Sequence, residues 1–102
     1  MNILSSIFNK RPYPKALEPE VNRLIDELIR IGKTYDFLSE RPIAGFNARC
    51  RNIRAREIGK RLDEIGGYAL MEMVHKKIKK KLGSNMASHL EYAWSEIGGW
   101  LV

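Results

Sequence analysis

The acidic side chains best suited to acid–base chemistry in this sequence occur as adjacent pairs. Asp26 and Glu27 form one pair, and Asp63 and Glu64 form the other. Neighbouring residues on a helix point about 100° apart, so the two carboxylates of each pair diverge instead of converging on one substrate. We therefore interpret both pairs as solvated helix faces and expect no acid–base catalyst.

Histidine and cysteine give no recognisable ligand or nucleophile motif. His75 and His89 fall on different predicted helices, and neither has a carboxylate three or four residues later. Cys50 is the single cysteine, so no internal disulfide can form and no CxxC spacing exists. We interpret Cys50 as a small apolar residue. A reactive thiol is the alternative, because Arg49 and Arg51 would stabilise its thiolate if it were exposed.

Signatures of phosphate binding and of nucleophilic catalysis are also missing from the sequence. It contains no P-loop, no dinucleotide-binding glycine fingerprint and no nucleophile elbow. The sequence therefore predicts a protein that is not an enzyme and that holds no metal ion and no cofactor.

The composition is that of one globular domain with an excess of positive charge. The chain has 102 residues, of which 44% are hydrophobic, and a formal net charge of +6. No apolar run reaches the roughly 20 residues of a membrane span, and the apolar segment at residues 3–8 is too short for a secretory signal. We expect a cytoplasmic protein that does not associate with a membrane.

One spacing of apolar residues and glycine occurs three times along the chain. The copies are Leu24-x3-Leu28-x2-Ile31-Gly32, Ile58-x3-Leu62-x2-Ile65-Gly66 and Leu90-x3-Trp94-x2-Ile97-Gly98. Apolar residues at intervals of three and four line one face of a helix, and a following glycine can adopt the left-handed conformation that ends it. Each copy therefore predicts an amphipathic helix that stops at its glycine.

A second apolar stripe follows the middle copy. Between Ala69 and Leu82 the apolar positions Leu70, Val74 and Ile78 recur at helical spacing, which predicts a second helix antiparallel to the first. A pair of helices repeated at a period near 33 residues is typical of a stacked α-solenoid.

The run from Ile53 to Leu70 resembles the short HEAT-like repeats of phycobilisome-lyase-like proteins. The similarity rests on a Leu-x-x-Ile-Gly helix end that is followed by an alanine-containing second helix. The usual acidic residue after Ile-Gly is replaced by Lys33, Gly67 and Gly99. The resemblance implies an all-α fold, a small right-handed α-solenoid or helical bundle of about five helices with an incomplete last repeat. Tetratricopeptide repeats share the period but lack this helix ending, and they rank second.

Two parts of the chain depart from a complete repeat. Pro42 limits the second helix of the first repeat to about residues 34–40 and leaves residues 42–47 as a loop. The third repeat lacks a second helix, because an apolar tail follows Gly98. We assign residues 1–16 to an N-terminal arm and residues 17–102 to a single HEAT-like helical domain.

Most of the excess positive charge falls on helix faces that point away from the apolar stripes. The predicted binding surface comprises Lys76, Lys79, Lys80, Arg49, Arg56 and Lys60. In the simplest interpretation these side chains are solvated, and the lysines at 79–81 complement the negative end of their helix. In the functional interpretation they bind an acidic protein partner or the phosphates of a nucleic acid.

The apolar tail has two interpretations as well. Trp100 either folds back over the open end of the last repeat or, with Leu101 and Val102, forms a contact with a second copy of the chain in a homodimer.

The leading hypothesis is a non-enzymatic protein–protein interaction or adaptor module with an acidic partner, because helical repeats mostly supply binding surfaces. The alternative is a nucleic-acid-binding accessory protein that uses the basic helical face. Against that alternative, the face lacks interleaved exposed aromatic residues.

Overall fold

The structure, a computed structural model, describes residues 11–38 and 46–100, with side chains described for 11–38 and 51–100. All regular secondary structure in this part of the chain is helical, which confirms the predicted all-α class. It forms α1 (Glu18–Thr34), α2 (Phe46–Leu82) and α3 (Ser84–Ala93), and one turn of 3-10 helix, Lys15–Leu17, precedes α1. None of these helices is both long enough and apolar enough to cross a lipid bilayer.

α2 is bent sharply at Gly67. The backbone there has φ 68° and ψ −161°, a conformation that glycine adopts readily and that residues with a Cβ avoid. The bend divides α2 into a first arm, residues 46–66, and a second arm, residues 68–82. The apolar pattern ends one helix at Gly66 and begins the next at Ala69, so the predicted break lies in the right place.

Two bidentate ion pairs join α1 to the first arm. Arg61 donates to the Glu20 carboxylate at 2.6 and 2.9 Å, and Arg54 Nη2 donates to Glu27 at 2.8 Å. As the residue number rises along α1, the number of its partner in the first arm falls. The two helices therefore run antiparallel.

The second arm runs in the same direction as α1. Gly32 lies against Leu82, and a Cβ added to Gly32 would be 2.5 Å from Leu82 Cδ1. One helical turn or more before these residues, Ile25 and Lys77 line the same depression in the surface. Because α1 is antiparallel to the first arm and parallel to the second, the two arms of α2 form an antiparallel hairpin.

The core lies between the three helices, and Trp94 is its largest fully buried side chain. The Trp94 indole Nε1 donates to the Ala55 carbonyl at 3.0 Å. Its ring lies directly on Gly59, where an added Cβ would be 2.6 Å from Cδ1 and Nε1. The other buried apolar residues of this cluster include Val21, Leu24, Leu28, Ile58, Leu62, Leu70, Met71, Val74, Ile78 and Leu90.

The third copy of the sequence pattern does not form the helix that it predicts. α3 ends at Ala93, and Arg56 of the first arm donates to the carbonyls of Ala93 and Ser95 at 2.7 and 3.2 Å. Positive φ angles at Glu96 (70°) and Gly98 (61°) then turn the chain. The predicted helix to Gly98 is therefore wrong, because these carbonyls bond to Arg56 and the backbone turns after them.

The short second helix expected in the first repeat is absent from its described residues. Asp36 Oδ1 accepts hydrogen bonds from the backbone N–H groups of Phe37, at 2.6 Å, and Leu38, at 3.2 Å, which forms a turn in place of a helix. Phe37 is fully buried by this turn. Most of the predicted loop at residues 42–47 lies outside the described residues, but Phe46 and Asn47 already belong to α2. The described residues form three helices, one of them bent into two arms, and the predicted total of about five is not confirmed.

The repeat glycines also differ from the expectation that each ends a helix. α1 continues through Gly32 to Thr34, and α2 leaves helical geometry at Gly67 and not at Gly66. Gly32 is buried where Leu82 and Phe37 approach the backbone too closely for a side chain. Of the three repeat glycines, Gly98 alone has a positive φ.

Replacing Gly59 tests the packing of Trp94. Although alanine forms helices better than glycine, the Cβ of Gly59→Ala would collide with the rigid indole ring. We expect the free energy of unfolding, measured by urea titration followed by circular dichroism, to fall by about 1–2 kcal/mol. Lys60→Ala, an exposed change one position along, should alter it by less than about 0.5 kcal/mol. A Gly59→Ala variant as stable as the wild type would contradict this packing.

The Arg54–Glu27 ion pair predicts a pH dependence of stability. The hydrogen bonds from Arg54 hold the pKa of Glu27 below its ordinary value of 4.5. A carboxylate with a depressed folded-state pKa stabilises the fold above the unfolded pKa, and this contribution is lost as the pH falls through the folded pKa. Unfolding free energy should therefore decline as the pH drops below about 4.5, and Glu27→Gln should decline less than the wild type. Asp26→Asn is the exposed control; equal slopes for Glu27→Gln and wild type would refute the pairing.

Candidate functional site

A surface groove runs between α1 and the second arm of α2. It consists of two adjoining depressions of about 500 and 450 Å³, which share Ile29 and Lys81 in their walls. Its apolar part is formed mainly by Ile29 and Leu82, with a small contribution from Ile25, whose side chain belongs to the core and is only 6% exposed. Ile29 is only half-buried, so part of its side chain faces the groove.

Lysines surround this apolar floor. Lys33 lies on the α1 side, and Lys77, Lys80 and Lys81 lie on the side of the second arm; all four are exposed. None of the ion pairs found within residues 11–38 and 51–100 includes any of these four lysines. By contrast, the neighbouring Lys76 approaches Glu72 at 3.5 Å. Among the described residues, the groove therefore combines an apolar floor with lysines that pair with no carboxylate.

The backbone adds a field of the opposite sign at one end of the groove. α1 and the second arm are parallel, so their C-terminal ends, which carry the negative ends of the helix dipoles, lie together. Lys33 is in the last turn of α1, and Lys80 and Lys81 are in the last turn of the second arm. Part of the lysine charge thus complements the two helix ends, and the remainder faces solvent.

The predicted basic residues divide between this groove and other places. Lys80 lines the groove, and Lys76 and Lys79 are exposed on the same arm outside it. Lys60 is exposed on the first arm. Arg56 is half-buried and donates to the carbonyls of Ala93 and Ser95, contrary to the expectation that it faces solvent. The side chain of Arg49 lies outside the described residues.

Sequence reasoning missed most of the groove. Lys33, Lys77 and Lys81 were not among the predicted binding residues, because the helical wheel of one helix does not show which neighbour it packs beside. A partial signal exists in α1, where Ile25 and Ile29 widen the apolar face beyond the repeated stripe. A wide apolar face with a lysine at its end indicates a surface that one packed neighbour does not cover.

Two other arginines of the first arm are used inside the fold. Arg54 and Arg61 bind the carboxylates of α1, and the Glu20 partner of Arg61 has its pKa lowered by that hydrogen bond. Arg51 places its guanidinium carbon 3.2 Å from the centroid of the Tyr35 ring, a cation–π contact. Much of the charge on the first arm is therefore structural.

Trp100 folds back over the end of the helices. Its side chain is only 5% exposed, and its ring lies 5.4 Å from Tyr68, 5.1 Å from His75 and 5.5 Å from Trp94, measured between centroids. Of the two interpretations of the tail, the structure shows the intramolecular one for this side chain. Leu101 and Val102, the other predicted oligomer contacts, lie outside the described residues.

Each histidine lies beside a carboxylate from another part of the chain. His89 Nδ1 donates to Asp36 Oδ1 at 2.8 Å, and His75 Nε2 is 3.6 Å from Glu91 Oε1. A search for partners along one helix cannot find such pairs, because the two members of each pair come from different segments of the chain. No group of three histidine, cysteine or acidic residues suited to a metal ion occurs among the described residues.

Comparisons with known proteins were made at the level of families, sequences and structures. No family model matches this chain, and no curated protein or solved structure matches it either. The HEAT-like resemblance of residues 53–70 stays a prediction from the sequence.

The burial of Trp100 predicts a large stability cost for its removal. Trp100→Ala would empty a site enclosed by three aromatic rings, and we expect the free energy of unfolding to fall by about 3 kcal/mol. Tyr92→Ala removes an aromatic ring that is 56% exposed and should cost less than about 1 kcal/mol. Thermal unfolding of both variants compares them directly. Equal melting temperatures would mean that Trp100 does not pack in this cluster.

Proposed function

We propose that this protein is a non-enzymatic protein-interaction module that binds an acidic partner in the groove between α1 and the second arm of α2. The observation that supports the proposal is the set of four lysines, Lys33, Lys77, Lys80 and Lys81, around an apolar floor. Apolar surface supplies affinity for a partner, and unneutralised charge selects an acidic one and speeds its association.

The apolar residues beside these lysines also support a binding function. Lysines that only maintain solubility need no apolar neighbour, whereas these four border Ile25, Ile29 and Leu82. A partner that covers this floor would remove apolar area from water and bring its carboxylates within reach of the lysines. Such a mixture of apolar centre and charged edge is typical of protein interfaces.

The proposal includes a scaffold and a location. The two arms of α2 would be the helix pair of a middle HEAT-like repeat, with α1 and α3 as its neighbours. Such repeats mostly present surfaces to partners. The single cysteine is compatible with the reducing cytoplasm that we propose as its location.

Nucleic-acid binding is the second candidate, and it rests on the density of exposed lysines on the second arm. Among the described residues, no aromatic ring lines the groove, where it could stack on a base. The exposed rings are those of Tyr35, one face of which contacts Arg51, of Tyr68, which contacts Trp100, and of Tyr92. An acidic protein therefore fits the groove better than a nucleic acid does.

Charge reversal in the groove tests the proposed function. Peptides selected from a random display library on the wild-type protein should be rich in Asp, Glu and apolar residues. Lys77→Glu/Lys81→Glu should weaken their binding at least about tenfold, because it reverses two charges in the groove wall. The matched control Lys76→Glu/Lys79→Glu changes the net charge equally outside the groove and should weaken binding less than about threefold. Fluorescence anisotropy measures both.

Two outcomes would contradict the proposal. If both double variants weaken peptide binding equally, the groove is not the site. If the wild type binds random duplex DNA more tightly than any selected peptide, with a steep dependence on salt, the second candidate replaces it.

A further inference from the structure

We infer that residues 11–14 form a strap that closes over Gly66 at the bend of α2 and opens as a unit of its own, without unfolding the helices. The strap lies at the opposite end of the second arm from Lys81, so the inference is independent of the proposed function. It rests on the contact at Gly66, on the few bonds that hold the segment, and on the two prolines within it.

Gly66 is the position at which the strap meets α2. The carbonyl oxygen of Pro12 occupies the space that a Cβ on Gly66 would need, and the same Cβ would be 2.8 Å from Leu70 Cβ. Gly66 lies in helical geometry and has no positive φ, so the backbone conformation does not require a glycine there. The missing side chain instead permits the close approach of the strap.

Two side chains of the strap hold it to the helices. Tyr13 is half-buried and packs against the core, and Arg11 forms an ion pair of 2.5 Å with Glu18 at the start of α1. Arg11 also donates to the Tyr13 hydroxyl at 3.3 Å. An ion pair between exposed side chains contributes little, so the burial of the Tyr13 ring supplies most of the energy that keeps the strap closed.

The backbone of the strap makes few hydrogen bonds. Among the described residues, its one backbone–backbone hydrogen bond runs from the Leu17 N–H to the Pro14 carbonyl, at 2.9 Å. Pro12 and Pro14 have no N–H to donate. Segments with few buried apolar contacts and few backbone hydrogen bonds open at a lower free energy than packed helices do. The strap should therefore open before the helices unfold.

The two prolines lower the cost of closing the strap again. Pro14 has φ −63° and ψ 140°, which is extended polyproline geometry, and the ring of Pro12 fixes its φ at about −65°. An open strap with two prolines has fewer backbone conformations to lose on closing than a chain without them. Low costs of opening and of closing are what a segment with two populated states requires.

Fluorine NMR of protein labelled with 3-fluorotyrosine tests the inference, with the Tyr13 signal assigned by Tyr13→Phe. In a urea titration of the wild type, this signal should reach its position in a free peptide of residues 9–17 before helicity, followed by circular dichroism, is lost. Coincident loss of the Tyr13 signal and of helicity would place residues 11–14 in the cooperative core and refute a separate strap.

Gly66→Ala tests the docking position, because its Cβ and the Pro12 oxygen cannot occupy the same space. The ratio of open to closed strap should rise at least about tenfold at unchanged helicity. Gly99→Ala is the matched control, since its Cβ would make ordinary contacts only, and it should leave the Tyr13 signal in place. A closed strap in Gly66→Ala, or equal opening in both variants, would overturn docking at Gly66.

A further variant applies if Gly66→Ala also loses helicity through its contact with Leu70. Pro12→Gly leaves α2 unchanged and gives the open strap more backbone freedom. It should raise the ratio of open to closed strap at least about threefold. An unchanged ratio would show that the segment does not open and close in this way.

Discussion

The reversal of the chain at Gly67 is the constraint on which the rest of the structure depends. A backbone with φ 68° and ψ −161° turns α2 into a hairpin, and the ion pairs of Arg54 and Arg61 hold α1 antiparallel to its first arm. The second arm must then run parallel to α1. Two C-terminal helix ends are thereby brought together. The lysines in the last turn of each helix, where they complement its dipole, therefore lie along one groove.

Two glycines set how closely the helices approach one another. Gly59 allows the Trp94 indole to lie on the first arm and bond to the Ala55 carbonyl, while Gly32 allows Leu82 to reach α1. The close approach at Gly32 gives one glycine of the repeated pattern a packing role although it ends no helix, whereas Gly59 lies outside that pattern. The groove exists because the helices approach closely at Gly32 and leave Ile29 partly uncovered.

Local sequence patterns predicted what depends on one helix at a time. The all-α class, the apolar faces of α1 and of both arms, and the break after Gly66 all follow from periodicity. Features that need a second element escaped it: the early end of α3 depends on Arg56, and Lys33 joins Lys81 only through the parallel packing of their helices. The turn at Asp36 is local, but the apolar pattern does not show it, because it depends on a side chain that accepts from the N–H groups of Phe37 and Leu38. Of the four groove lysines, only Lys80 was among the predicted binding residues, and the apolar floor was not predicted.

The central claim is that a partner covers the apolar floor between α1 and the second arm. Methyl-resolved NMR of the isoleucine side chains tests it most directly, because Ile29 is half-buried in the groove and Ile25, 6% exposed, lies beneath it. Ile53 is exposed on the first arm, and Ile97 is buried near the C-terminal turn, so both lie away from the groove. On addition of an acidic amphipathic peptide, the methyl signals of Ile25 and Ile29 should shift and those of Ile53 and Ile97 should not. Shifts confined to Ile53 or Ile97, or a saturated complex that leaves all four unchanged, would contradict the account.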